Sequence, residues 1–129
     1  MKTEDYNRIS GLILDAAISV HKELGPGLLE SVYELCLTKE LVNRKLKVST
    51  QVMLPLIYKG EPISKDFKID MLVEESIIVE IKTVDIILPV HEAQIISYLK
   101  LADKRLGLLI NFNVPILTKG FRRFVNNLQ

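Results

Sequence analysis

The chain is short of cysteine, of net charge and of long apolar runs, and each shortage removes a class of protein. Cys36 is the single cysteine among 129 residues, which excludes an intramolecular disulfide and a cysteine-built metal cage. It falls on the apolar face of a predicted helix, so packing is its expected role. With 17 basic and 16 acidic residues the formal net charge is only +1. The chain as a whole is therefore no polycation, and any contact with nucleic acid has to use local patches. No apolar run reaches the roughly 20 residues of a membrane span, and the opening MKTEDYNR lacks the apolar centre of a secretory signal. No membrane association and a reducing cytoplasm are expected. Repeats, linkers and low-complexity segments are missing too, so residues 1–129 are expected to form one domain. What is present is an ordinary globular composition, 48% hydrophobic and 26% charged, enough to bury roughly two-thirds of the unfolded surface.

The most informative stretch is DFKIDMLVEESIIVEIKTV, residues 66–84. Asp66, Lys68 and Asp70 alternate with Phe67, Ile69 and Met71, the period of a strand. The chain returns through Ile77 to Lys82, rich in β-branched residues. A three-residue loop centred on Glu75 sets Asp70 opposite Glu80, and the pleat puts Glu80 and Lys82 on one face. A two-residue loop would separate the carboxylates onto opposite faces. Opposed side chains lie about 5 Å apart, where two carboxylates repel by roughly 3–4 kcal/mol at an effective dielectric near 20. Something positive must sit between them, either Lys82 or a divalent cation. The plain alternative is a structural Asp–Lys–Glu ion network.

Residues 4–24 carry a one-sided apolar stripe of Ile9, Leu12, Ile13, Ala16, Ala17, Val20 and Leu24, which predicts a core-facing helix ending at Gly25-Pro26-Gly27. A second helix is expected from about Leu29 to Lys45, with Leu29, Val32, Cys36, Leu41 and Val42 turned inward. Glu30 and Tyr33 are three apart on it and share a face; a glutamate in a first turn also serves the helix dipole. A strand should cover Val48 to Tyr58, followed by turn chemistry at Lys59-Gly60-Glu61-Pro62. Pro89 opens a third helix running to about Asp103. Its residues His91, Gln94 and Tyr98 line one stripe, while Ala93, Ile96, Leu99 and Ala102 suit packing. LGLLINF, residues 106–112, reads as a strand covered on both faces and joined to residues 77–83 by a parallel crossover. Thr118 to Val125 is expected to form an edge strand with a basic end.

The order of elements, with polar residues at Glu30, Asp70, Glu80-x-Lys82 and Gln94-x-x-x-Tyr98, resembles the PD-(D/E)xK nuclease superfamily. It is more closely similar to the small GxxExxY proteins within that group. The naming motif reads Gly27-Leu28-Leu29-Glu30-Ser31-Val32-Tyr33, preceded by His21 and Leu24-Gly25-Pro26, and the downstream helix carries His91-Glu92-Ala93-Gln94. Lys68 stands where many relatives carry arginine, and Asn113 where glycine is common. The resemblance implies an α/β fold with a restriction-endonuclease-like core. In that core a mixed sheet, made of a three-strand antiparallel meander plus a parallel strand after a crossover helix, is flanked by helices.

It also implies metal-dependent hydrolysis of phosphodiesters in DNA or RNA. Asp70, Glu80, the Ile81 carbonyl and Glu30 are the expected ligands of Mg²⁺ or Mn²⁺, hard oxygen donors for a hard cation. Lys82 would orient the attacking water and offset negative charge, and Gln94 would position water or a phosphate oxygen. Tyr98, Tyr33, His91, Lys100 and Arg122 are the expected nucleic-acid contacts. Lys104, Arg105, Lys119 and Arg123 could hold flanking phosphates or simply be solvated surface. The competing expectation is a catalytically silent module of the same fold that binds nucleic acid or a protein. The apolar helix faces also leave room for a homodimer or a larger complex.

Overall fold

The computed structural model describes residues 1–128, the side chains of residues 64 and 65 excepted. Helix α1 spans Thr3–Leu24 and α2 Glu30–Asn43; strands β1 (Val48–Tyr58), β2 (Glu61–Val73) and β3 (Ile77–Lys82) follow. Helix α3 (Pro89–Ala102) leads into β4 (Leu106–Asn111), and a 3₁₀ turn at Leu117–Gly120 precedes β5 (Phe121–Val125). The five strands lie in chain order in one sheet. All neighbours are antiparallel except β3 and β4, which run parallel on either side of the α3 crossover. This is the restriction-endonuclease-like arrangement.

Helices cover the sheet on both faces, and the alternation of side chains along each strand divides the core accordingly. Ile77, Val79 and Ile81 of β3, with Leu106, Leu108 and Ile110 of β4, pack beneath α1 and α2. Ile78 and Leu109 point the other way, onto Ile95 and Leu99 of α3. All six residues of β4 are buried, as a strand covered on both faces requires. Burying each such aliphatic side chain contributes about 1.5–3 kcal/mol. Helix α1 packs through Tyr6, Ile9, Ile13, Ala16, Ala17 and Val20; of the predicted stripe, Leu12 and Leu24 are only partly buried, and Tyr6 is added at its start. Among the described residues no helix is long and apolar enough to cross a membrane.

Three expectations need correction. Helix α2 turns Tyr33, Leu37 and Leu41 into the core, at i, i+4 and i+8, and leaves Leu29 74% and Val42 53% exposed. Apolar residues occur on more than one side of this helix, so periodicity could not choose among them. On α3 the buried residues are Ile95 and Leu99, whereas Ile96 is exposed. Thr118 to Gly120 belong to the 3₁₀ turn, and β5 starts only at Phe121. Gly120 is required there: a Cβ on it would lie 2.1 Å from the Asn111 carbonyl oxygen.

Candidate active site

The site forms where β2 parts from β3. Their ladder pairs Val73 with Ile77, Leu72 with Ile78 and Met71 with Val79, the register dictated by a three-residue loop centred on Glu75. One step further Asp70 faces Glu80, but here backbone pairing gives way to a side chain. Asp70 Oδ2 accepts a hydrogen bond from the Ile81 N–H at 2.8 Å. From this point outward β2 pairs only with β1, forming a two-stranded arm that turns at Lys59-Gly60. The arm also rolls over as it leaves. Met71 and Val73 belong to the α1/α2 core, while Ile69 and Phe67, of the same parity, belong to the α3 core. Gln51, opposite Asp70 in the β1/β2 register, has a left-handed φ of 52°, a conformation that non-glycine residues seldom adopt.

The parting frees one edge of β3. Because the N–H and C=O of a strand residue point to the same side, the Ile81 carbonyl faces the gap that its N–H bridges to Asp70. The Lys82 carbonyl points the other way and accepts from the Phe112 N–H at 3.0 Å.

Glu80 is 4% exposed, and its Oε1 has no hydrogen-bond partner among the described residues. Burial pushes its carboxyl up to about 9, helped by hydrogen bonding to Asp70 and by the Asp70 charge, with Lys82 opposing. Glu80 is therefore uncharged near neutral pH in the absence of a cation. Partial burial also raises the Glu30 carboxyl; Lys82 counteracts this, Asp70 and Glu34 add to it, and His91 opposes it. The Tyr98 phenol is raised by partial burial and by the nearby charges of Glu80 and Asp70, against a hydrogen bond with Gln94. Lys82 Nζ donates to Gln94 Oε1 at 3.4 Å. Glu30, Asp70, Glu80, Lys82, Gln94 and Tyr98 thus share one electrostatic neighbourhood, drawn from α2, β2, β3 and α3.

The remaining predicted contacts divide differently. His91 flanks the cluster, and its Nδ1 accepts from the Leu88 N–H at 2.9 Å, bracing the start of α3. Lys100 is exposed but lies roughly half a turn of helix away from the His91–Tyr98 stripe. Arg122 is held by Glu92, with Nη1 2.6 Å from Oε2. Tyr33 contradicts its expected role. It is fully buried, and its ring stacks on Phe112 with centroids 4.4 Å apart and planes 8° from parallel, so nucleic acid cannot reach it.

Two contributors escaped the sequence reading. Phe67, on the arm, stacks on Tyr98 at 5.1 Å; its alternation with Asp66 and Lys68 was the available signal. Asn111, 2% exposed, accepts from the Val84 and Asn113 N–H groups and donates to the Val84 carbonyl, fixing the segment that leaves Lys82. A lone amide inside LGLLINF was its signal.

Among the described residues no three His, Cys, Asp or Glu side chains converge as a metal centre, so Glu30 does not complete a three-carboxylate set in this arrangement. The donors that do meet are the Asp70 and Glu80 carboxyls and the Ile81 carbonyl edge. That set fits a small hard cation, because Mg²⁺ is usually held by one or two carboxylates and keeps several waters. The unpartnered buried oxygen of Glu80 is the feature a cation would satisfy.

A family model described as the PD-(D/E)XK nuclease superfamily matches residues 7–124. No curated protein matches the chain. A solved structure described as "Crystal structure of SSO0001" is similar, with a TM-score of 0.49 and 22% sequence identity over 77% of this chain and 50% of that one. This chain thus spans about half the length of that protein. With the family match running from α1 to β5, the chain belongs to the PD-(D/E)XK nuclease superfamily.

Proposed function

We propose that this chain is a divalent-metal-dependent nuclease domain of the small GxxExxY type. It would act in the cytoplasm and hydrolyse phosphodiester bonds in DNA or RNA with Mg²⁺ or Mn²⁺. The observation that carries the reading is the buried, unpartnered Glu80 oxygen facing Asp70 at the parted strands. A protein that only needed an ion pair there would have matched Lys82 to Glu80, whereas Lys82 reaches Gln94 instead.

In this reading Asp70, Glu80 and the Ile81 carbonyl would hold the cation, with Glu80 serving as a carboxylate. Glu30 would act on the waters that such a cation retains. When bound, the cation supplies Lewis acidity toward a phosphoryl oxygen. Lys82 orients the attacking water and offsets the negative charge that grows on the phosphate. Gln94 steadies the ammonium through Oε1, while its amide nitrogen serves the Tyr98 hydroxyl and has a second N–H for water or a phosphate oxygen. Tyr98, braced by Phe67, offers its hydroxyl to the substrate backbone, with His91 at the rim.

A second reading, a silent module that binds nucleic acid or a protein, draws on the uncharged state of Glu80 and the missing third carboxylate. Cleavage of labelled single- and double-stranded DNA and RNA with Mg²⁺ or Mn²⁺ separates the two. The nuclease reading expects cleavage that is abolished by chelator and reduced about 10²–10³-fold in Lys82→Ala, the scale of losing one transition-state donor. A folded wild type that cuts none of these substrates supports the module instead.

A further inference from the structure

The run Gly27 to Tyr33 supplies Glu30 to the site, yet its last residue faces away from substrate. The Tyr33 hydroxyl donates to the Gly25 carbonyl at 2.6 Å and accepts from the Leu28 N–H at 3.2 Å. One buried side chain therefore ties together both ends of the loop between α1 and α2. The loop needs tying. Gly25 and Gly27 have φ of 69° and 97°, and the residue ahead of α2 is Leu29, whose side chain has no polar atom with which to cap the helix. A Cβ on either glycine would meet nothing within 4 Å among the described residues. These positions are glycine for their conformation, not for lack of space.

The other end of Tyr33 is anchored to the catalytic strand. Its ring lies flat on Phe112, and the Phe112 N–H bonds to the Lys82 carbonyl. A continuous path thus runs from the backbone of Lys82 through Phe112, the Tyr33 ring and the Tyr33 hydroxyl to the loop that delivers Glu30. Glu30 in turn is close enough to Lys82 and Asp70 for their charges to act on its carboxyl. We infer that Tyr33 is a positioning residue: it registers the start of α2, and with it Glu30, against the end of β3 that carries Lys82. This rests on the nuclease reading, in which Glu30 serves the cation's waters.

Tyr33→Phe isolates the hydroxyl, because it keeps the stacked ring and the core volume. In the metal-free protein, hydrogen exchange should accelerate at the Leu28 amide while the amides of β3 and β4 stay protected. Mn²⁺ affinity, measured by electron paramagnetic resonance, should fall about tenfold, the lower end of the range for a supporting contact. Glu30→Gln should lower it by a similar factor, and the double variant should lose no more than the worse single one. Gly27→Ala, which strains the same loop without touching the core, should reproduce the Tyr33→Phe loss. If Tyr33→Phe binds Mn²⁺ like the wild type, or if its loss multiplies with that of Glu30→Gln, the tyrosine is packing only and the inference fails alone. A wild type that binds no Mn²⁺ overturns the nuclease reading and this inference with it.

Discussion

Two buried polar side chains lie close together at one end of the sheet, and the protein treats them oppositely. Asn111, paired with Lys82 across β3 and β4, has its amide oxygen and nitrogen both bonded to backbone. Glu80, two residues before Lys82 and equally hidden, keeps an oxygen with no partner among the described residues. A buried polar group is normally satisfied because leaving it unpaired costs about 1–3 kcal/mol. Asn111 follows that rule and reads as structure. Glu80 breaks it beside a second carboxylate, and such exceptions gather where a ligand is to be bound.

The contrast can be attacked from either side. The largest effect belongs to the satisfied side: Gly120→Ala drives a Cβ into the Asn111 carbonyl and should cost about 3 kcal/mol, at the upper end for overpacking, in denaturant unfolding. Next, Asn111→Leu keeps the branched four-atom side chain but strips partners from the half-buried Val84 and Asn113, and a loss of about 2 kcal/mol is expected. Added Mg²⁺ should rescue neither variant's own deficit.

On the unsatisfied side the sign reverses. The Glu80 carboxyl is raised from 4.5 to about 9, so between those values the folded state holds a proton that the unfolded state has released. Stability from this group is fully present below about pH 4.5 and declines as pH rises toward 9, a loss of roughly 3 kcal/mol by pH 7. Glu80→Gln removes the titration. Metal-free, it should be more stable than wild type at pH 6 by about 1–3 kcal/mol, with a flatter stability profile between pH 5 and 9. A variant less stable than wild type at that pH would mean that Glu80 is held by contacts like those of Asn111. The smallest effect is expected at Arg122→Ala, whose pair with Glu92 is partly exposed, and a change under about 1 kcal/mol should be found.

The sequence made the hairpin register legible because register follows from local arithmetic: a three-residue loop and the pleat suffice to set Asp70 against Glu80. The α1 stripe was legible for the same kind of reason: most of its apolar residues crowd one face, with Leu14 and Ile18 alone off it. Helix α2 was not, since Leu29, Val32 and Val42 compete with Tyr33, Leu37 and Leu41, and only the sheet beneath decides between them. Tyr33 shows the limit most clearly. Its spacing from Glu30 suggested a shared site, but its ring stacks on a residue 79 positions later, and no local pattern records that contact. The roll of the arm at Asp70, which brings Phe67 onto Tyr98, was hidden likewise, because strict alternation would have kept Phe67 on the face of Met71.

The most direct measurement is the thermal unfolding midpoint at pH 8 of wild type and Asp70→Asn, each with and without Mg²⁺ or Mn²⁺. If Asp70 and the vacant Glu80 oxygen form a cation site, the metal raises the wild-type midpoint, by about 3 kcal/mol of stability at a hundredfold excess over the dissociation constant, and leaves Asp70→Asn unmoved. A wild type indifferent to millimolar metal, or a variant shifted as far as the wild type, would contradict the account.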